Sequence, residues 1–221
     1  MGRGGNLIRV VIADDHTIVR EGLKQLLANP DFAIVGEARD GHEVIERVRT
    51  LDFDVLLLDM SMPKKGGIEL IKQIKHEKPK LRVLVLSMHE EQQYAIRAIK
   101  AGASGYLTKE SASAQLISAI RKVAAGGAFI SPAVAEQLAL GAMPQAEGLP
   151  HTTLSDREYE VFRLLVSGTT VSDIAEQLNL SVKTISTHKA RLLEKMGMSS
   201  PAELVRYALA HRLVNDPDAV G

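Results

Sequence analysis

Five short apolar runs, each followed by residues at helical spacing, constrain what residues 8–125 can fold into more than any other feature of the chain. The runs are 8–13 (IRVVIA), 33–38 (AIVGEA), 55–58 (VLLL), 81–86 (LRVLVL) and 104–107 (SGYL). Between and after them come Val19, Leu23, Leu26 and Leu27; Val44, Ile45 and Val48; Ile68, Ile71 and Ile74; Tyr94, Ile96 and Ile99; and Leu116, Ile117, Ile120 and Val123. A strand that alternates apolar and polar residues has one wet face. These runs barely alternate, so both faces should be buried under helices. The pattern predicts an α/β unit: a five-stranded, doubly wound parallel sheet.

The strand rhythm stops after residue 125. Gly126-Gly127 closes the unit, Ser131-Pro132 reads as an N-cap followed by proline at the first helical position, and a short helix covers 133–140. Gly141, Pro144, Gly148 and Pro150 then interrupt the chain. Residues 126–150 are expected to be a linker containing one short helix, which leaves 7–125 and 151–215 as domains. The second domain should be all-α. Ser155 and Glu158 form a capping-box pair ahead of Val161, Leu164 and Leu165; Val171, Ile174, Ala175 and Leu178 make a second helix. Asn179-Leu180 turns, Ser181 caps a third helix carrying Ile185, Leu192, Leu193 and Met196, and Ser200-Pro201 opens a fourth.

Composition removes several function classes. There is no cysteine, so disulfides, thiolate metal sites and cysteine nucleophiles are excluded. Tryptophan is absent and aromatics are 4%, too few for a single-strand stacking platform. No run approaches the ~18 apolar residues of a membrane span, and the Gly-rich first six residues lack the apolar core of a signal peptide. A cytoplasmic chain with no membrane partner is expected. Its net charge of zero leaves room for a local basic patch.

Ligands of open parallel sheets sit at the carboxyl ends of the strands. The polar residues that end the apolar runs are Asp14 and Asp15, Asp59, Ser87 and Lys109. Three carboxylates brought together repel, and a hard divalent cation such as Mg²⁺ relieves that repulsion. Lys109 can neutralise a phosphoryl group and Ser87 can donate to it. The chemistry that fits is phosphoryl transfer to a carboxylate. A single Asp at a strand end is often only a turn former; all five positions in this order are not explained that way.

In the second domain, a helix, a tight turn and a second helix suit a helix-turn-helix. Helical spacing gives residues 181–196 two faces. Ile185, Leu192 and Met196 point inward; Lys183, Ser186, Thr187 and Ala190 lie opposite, where Lys reaches guanine and small residues allow close approach to bases. Thr184, His188, Lys189, Arg191 and Lys195 flank that face as candidate phosphate contacts. The helix carries a formal charge of +3, whereas residues 151–221 hold eight basic and nine acidic residues, so the positive charge is local.

Residues 7–125, through VVIADDH, DVLLLDMSMPKKGG, VLVLSMH and GASGYLTKE, resemble a response-regulator receiver domain, whose fold is flavodoxin-like. Residues 154–211, through LSDREYEVFRLLVSG, DIAEQLNLSVKTISTHKARLLEKMG and SSPAELVRYAL, resemble the LuxR-type helix-turn-helix. Together they are similar to a two-component response regulator of the NarL/FixJ type. The resemblance implies that Asp59 accepts phosphate from a sensor histidine kinase. It implies Mg²⁺ held by Asp15, Asp59 and the Met60 carbonyl, with Asp14 acting largely through water. Ser87 takes the hydroxyl switch position and Tyr106 the aromatic one, turning inward once phosphate is bound; Met62-Pro63 lies in the turn after the acceptor. Met88 stands where the family often has a small residue, and its bulk could restrict access to the acyl phosphate. The implied output is a homodimer on double-stranded promoter DNA, with RNA polymerase as a further partner. Glu203, Leu204, Arg206, Tyr207 and Ala210 are the candidates for dimer contacts.

Such a chain is a regulator, not an enzyme, beyond catalysing its own aspartyl phosphorylation and dephosphorylation. A phosphatase with an Asp nucleophile usually needs a second carboxylate two residues on, where this chain has Ser61. Two other readings remain: a receiver that only docks partners without phosphorylation, and an acyl-homoserine-lactone sensor, which shares only the C-terminal domain.

Overall fold

The computed structural model describes residues 7–62, 67–87, 92–140, 149–211 and 213. Five strands form one sheet: β1 (Ile8–Ala13), β2 (Phe32–Ala38), β3 (Val55–Asp59), β4 (Arg82–Ser87) and β5 (Gly105–Thr108). All pairings are parallel and the order is β2-β1-β3-β4-β5, the doubly wound arrangement expected. Helices α1 (Thr17–Leu26), α2 (Gly41–Thr50), α3 (Gly67–Glu77), α4 (Gln92–Lys100) and α5 (Lys109–Ala124) connect and cover it. Val10, Ile12, Val55, Leu57, Leu84 and Leu86 pack with α1 and α5 on one face. Val11, Leu56, Leu58, Val83 and Val85 belong to the core on the α2–α3–α4 face. Side chains thus alternate between two dry faces, which is why the strands read as continuous apolar runs.

The linker is tied to the sheet. Phe129 makes a bridge to Gly105, and the Tyr106 N–H donates to the Phe129 carbonyl at 2.8 Å. A Cβ on Gly105 would stand 2.8 Å from that carbonyl oxygen, so the close approach requires glycine. This bridge covers part of an otherwise open sheet edge. Ser131 then caps α6 (Pro132–Leu140), whose Val134 is buried in the same core as α4 residues Tyr94 and Ala98.

A 3₁₀ turn (Pro150–Thr153) leads into α7 (Asp156–Val166), α8 (Val171–Gln177), α9 (Val182–Met196) and α10 (Pro201–Ala210). The capping box at Ser155 and Glu158 is formed. Asn179 adopts φ 52° in the turn between α8 and α9, a left-handed conformation that asparagine tolerates well. Gly197 ends α9 with φ 65°. Among the described residues, no helix is long and apolar enough to cross a membrane.

Candidate phosphoacceptor site and nucleic-acid interface

The sheet brings the predicted residues together because β1, β3, β4 and β5 end side by side. Asp14 and Asp59 are fully buried, and Ser87 is buried at the end of β4. Lys109 is the first residue of α5, after Thr108, whose hydroxyl accepts from the Ser111 N–H as N-cap. The Lys109 ammonium donates to Asp14 Oδ2 at 2.7 Å and to Asp59 Oδ2 at 2.9 Å. Burial works against its charge, yet the two carboxylates outweigh it and hold the ammonium pKa above its ordinary value.

The other Asp59 oxygen, Oδ1, accepts from the Ser61 N–H at 3.1 Å and from the Ser61 hydroxyl at 3.0 Å. Asp14 Oδ1 accepts from the His16 N–H at 2.8 Å. Asp14, Asp15, His16 and Asp59 place ligand atoms within 4.8 Å of one another. Asp15 Oδ1 is buried and has no hydrogen-bond partner. The His16 ring nitrogen lies 2.9 Å away without hydrogen-bond geometry. A buried carboxylate oxygen that accepts no hydrogen bond, beside two further carboxylates, is the donor set that a hard cation completes. The residues therefore fit Mg²⁺, with Asp14, Asp15 and Asp59 as the available carboxylates. Met60 is buried beside them and its N–H reaches the Leu86 carbonyl at 3.4 Å. Tyr106 is already buried, at 8% exposure, in the core that also contains Tyr94 and Val134. Pro63 and Met88 lie outside the described residues.

Sequence reasoning did not find Arg20. It sits on the buried face of α1, three residues before Leu23. Its guanidinium donates to the Asp14 carbonyl at 2.8 Å, to Glu37 Oε2 at 3.0 Å and to the Thr17 hydroxyl at 3.3 Å. A charged residue at an apolar-stripe position was the available signal.

In α9 the two expected faces are present. Ile185, Leu192 and Met196 are buried, while Lys183, Ser186, Thr187, Ala190 and Arg191 are exposed. Ser186 and Thr187 hydroxyls donate back to the Val182 and Lys183 carbonyls. Thr184 shares a hydrogen bond with the capping Ser181 hydroxyl. Lys189 is half-buried. Lys195 is exposed yet engaged within the domain, and His188 is half-buried. The Lys195 ammonium pairs with Glu158 of α7 at 2.7 Å. His188 Nδ1 is buried without a partner, and burial together with Arg157 holds its pKa below the usual value.

The two domains are docked through α3, α4 and α7, a contact the sequence did not disclose. Arg97 of α4 donates to the Leu154 carbonyl at 2.9 Å, the His151 carbonyl at 3.1 Å and Asp156 Oδ1 at 3.0 Å. Its guanidinium also lies 4.2 Å from the Tyr159 ring centre. Lys72 of α3 pairs with Asp156 Oδ2 at 2.6 Å, and Tyr94 stacks on Tyr159. Glu160 packs so closely over Gly67 that a Cβ there would stand 2.2 Å from its carboxylate oxygen; burial pushes this carboxyl up to about 7. The exposed face of α9 is not covered by this docking.

Residues 10–121 match the response regulator receiver domain family, and residues 152–208 match the bacterial regulatory proteins of the luxR family. The chain is 38% identical over 211 residues to the response regulator GacA of Pseudomonas viridiflava, covering 95% of this chain and 99% of that one. It is similar to RcsB from Salmonella enterica serovar Typhimurium bound to promoter rprA in the presence of the phosphomimetic BeF3-, with 32% identity and TM-score 0.67 over 91% of this chain and 98% of the other. A second similar structure is that of two RcsB dimers bound to two parallel DNAs, with 33% identity and TM-score 0.57 over 93% and 99% of the two chains. With both family models matched in order and relatives aligned along almost its whole length, the chain belongs to the NarL/FixJ-type response regulators, in which a receiver domain is joined to a LuxR-type DNA-binding domain.

Proposed function

We propose that this protein is a phosphorylation-dependent transcriptional regulator whose receiver takes a phosphoryl group on Asp59 and whose helix α9 reads promoter DNA. The observation that carries the reading is the Asp59 carboxylate. It is fully buried at the end of β3 and held by Lys109, next to a carboxylate oxygen of Asp15 that accepts no hydrogen bond. An Asp59 oxygen attacks the phosphorus of a phosphohistidine in line. The new O–P bond forms as the N–P bond breaks, and the leaving imidazole nitrogen keeps the electron pair and takes up a proton. Mg²⁺, when bound by Asp14, Asp15, Asp59 and the Met60 carbonyl, supplies charge neutralisation. Lys109 shifts from its two carboxylates toward the phosphoryl oxygens, and Ser87 donates to them; positioning and fixed charge do most of the catalysis.

The resulting acyl phosphate biases a two-state surface around α4 and β5. Tyr106 is buried in the state described, so the switch reading assigns this rotamer to the phosphate-bound side of the equilibrium. The reading face of α9 is already exposed with the domains docked. That favours dimerisation over uncovering of the helix as the route by which phosphorylation raises DNA affinity. On α10, Arg206, Leu209 and Ala210 are exposed, whereas Leu204 is buried and Tyr207 bonds His151. The dimer contact is assigned to the exposed three. RcsB, a similar protein, is found as DNA-bound dimers, which supports promoter DNA and a second copy of this chain as partners. The histidine kinase and RNA polymerase follow from the family, and the chain is not proposed as an enzyme acting on other substrates.

The test is phosphate incorporation from acetyl phosphate, read by intact mass. Wild-type protein gains one acid-labile phosphate only when Mg²⁺ is present, and Asp59→Asn gains none. Stoichiometric labelling of Asp59→Asn contradicts the assignment.

A further inference from the structure

The loop that carries Asp14 and Asp15 is short, and its geometry decides where two of the three carboxylates point. β1 ends at Ala13 and α1 begins at Thr17, so only residues 14–16 lie between them. The Asp14 N–H is fixed by the Ala38 carbonyl of β2, at 3.1 Å. Its carbonyl has left the sheet. The group that receives it is the guanidinium of Arg20, itself 3% exposed. The same residue starts the helix, because the Arg20 N–H donates to the His16 carbonyl at 3.1 Å. Arg20 thus holds both ends of the three-residue loop, one through its backbone and one through its side chain.

We infer that Arg20 is a positioning residue for the cation site, acting through the Asp14 carbonyl to hold Asp14 and Asp15 in ligating geometry. This rests on the reading of Asp14, Asp15 and Asp59 as that site. The guanidinium is itself aimed by a second layer. Nε is held by Glu37 Oε2 on β2, and Nη2 meets the Thr17 hydroxyl. Lys24 holds the other Glu37 oxygen at 2.8 Å, and burial is outweighed so that Glu37 stays below its ordinary pKa. A planar fork can satisfy the Asp14 carbonyl and Glu37 together, whereas a lysine ammonium on a flexible stem cannot hold both in one plane. Outer partners that orient metal ligands commonly contribute about 10–100-fold to metal affinity. Arg20 touches neither the cation nor the phosphoryl group, so its effect should appear first in metal binding.

The experiment titrates full-length protein with Mn²⁺ and follows the free-ion EPR signal, alongside thermal unfolding of the same samples. The set is wild type, Arg20→Lys, Arg20→Gln, Asp15→Asn and Leu23→Ala. Leu23 lies on the same buried face of α1 and touches no carboxylate of the site, so Leu23→Ala reports what mere loss of stability does. The expected result is Mn²⁺ affinity lowered about 10–100-fold in both Arg20 variants, with Leu23→Ala binding as wild type despite a lower melting temperature. If Arg20→Gln does not fold, Arg20→Lys carries the comparison. Wild-type affinity in the folded Arg20 variants overturns the inference, as does an equal loss in Leu23→Ala. Failure of wild type to bind Mn²⁺, or unchanged binding in Asp15→Asn, shows instead that the cluster is no cation site and removes the reading beneath it.

Discussion

Lys109 neutralises two carboxylates at once, and both are fully buried. In Lys109→Ala those charges lose their only shared cation among the described residues, so the fold should lean on a divalent ion instead. We expect the variant to melt several degrees lower than wild type without Mg²⁺ and to regain more on Mg²⁺ addition, since a ligand bound by the native state alone stabilises it. It should still bind the ion but lose phosphorylation-coupled DNA binding. Equal Mg²⁺ shifts in the two proteins would refute this. His151 offers a pH prediction. It is almost fully buried, with Nδ1 bonded to the Tyr207 hydroxyl, and burial plus the nearby His211 and Arg97 lower its pKa to about 4. The unfolded chain takes up this proton near pH 6.5, so the neutral ring's contribution is whole above that value and is lost as pH falls toward 4. The drop in melting temperature between pH 7 and pH 5 should shrink in His151→Phe. The residues of the acidic site were legible because each ends an apolar run, and the end of a run in a parallel sheet is a place as well as a spacing. Arg20 left only the weak signal of a charge on the apolar stripe of α1, and its key partner is a backbone carbonyl, which carries no side-chain signature. Arg97 was not legible, because two of its three partners are backbone carbonyls and all lie 54 to 59 positions away.

At the scale of elements, α9 separates two kinds of contact. Lys183 stands on the exposed face, and if it reads a base, Lys183→Ala should cost about 1–3 kcal/mol and relax preference at one base pair per half-site. Arg191→Ala should weaken all sequences alike and flatten the salt dependence by about one unit per half-site. Lys195, paired to Glu158, should behave as a structural residue: Lys195→Ala should lower the melting temperature more than it changes the salt slope. Titrations at several salt concentrations distinguish the three. Strand limits read from sequence fell within a residue of the structure, and the small shifts have causes. Thr108 extends β5 because it pairs with Ser87, and Leu81 stays outside β4 with its N–H bonded to the Lys78 carbonyl. The capping box at Ser155 was legible because it is local chemistry. The Phe129–Gly105 bridge was not, since one pairing within a Gly-rich stretch leaves no periodicity.

Over the whole molecule, Arg97 joins receiver to DNA-binding domain with three hydrogen bonds and a ring contact, backed by the Lys72–Asp156 pair. Arg97→Ala should release the domains: the radius of gyration in solution rises and the melting of the two halves becomes separable. An unchanged scattering profile would show that apolar packing of Tyr94 on Tyr159 suffices. Because α4 carries both Arg97 and the surface expected to respond to phosphate, docking and the phosphate response draw on the same helix. The α9 face is exposed with the domains docked, which ties phosphorylation to DNA through a second copy of the chain. The most direct measurement is promoter DNA titration by fluorescence anisotropy, with sedimentation of the same samples, using wild type and Asp59→Asn with and without acetyl phosphate and Mg²⁺. Phosphorylated wild type is expected to become dimeric and to bind DNA more tightly by about tenfold or more, while Asp59→Asn does neither. A wild-type protein that stays monomeric and gains no DNA affinity despite a stoichiometric phosphate on Asp59 would contradict this.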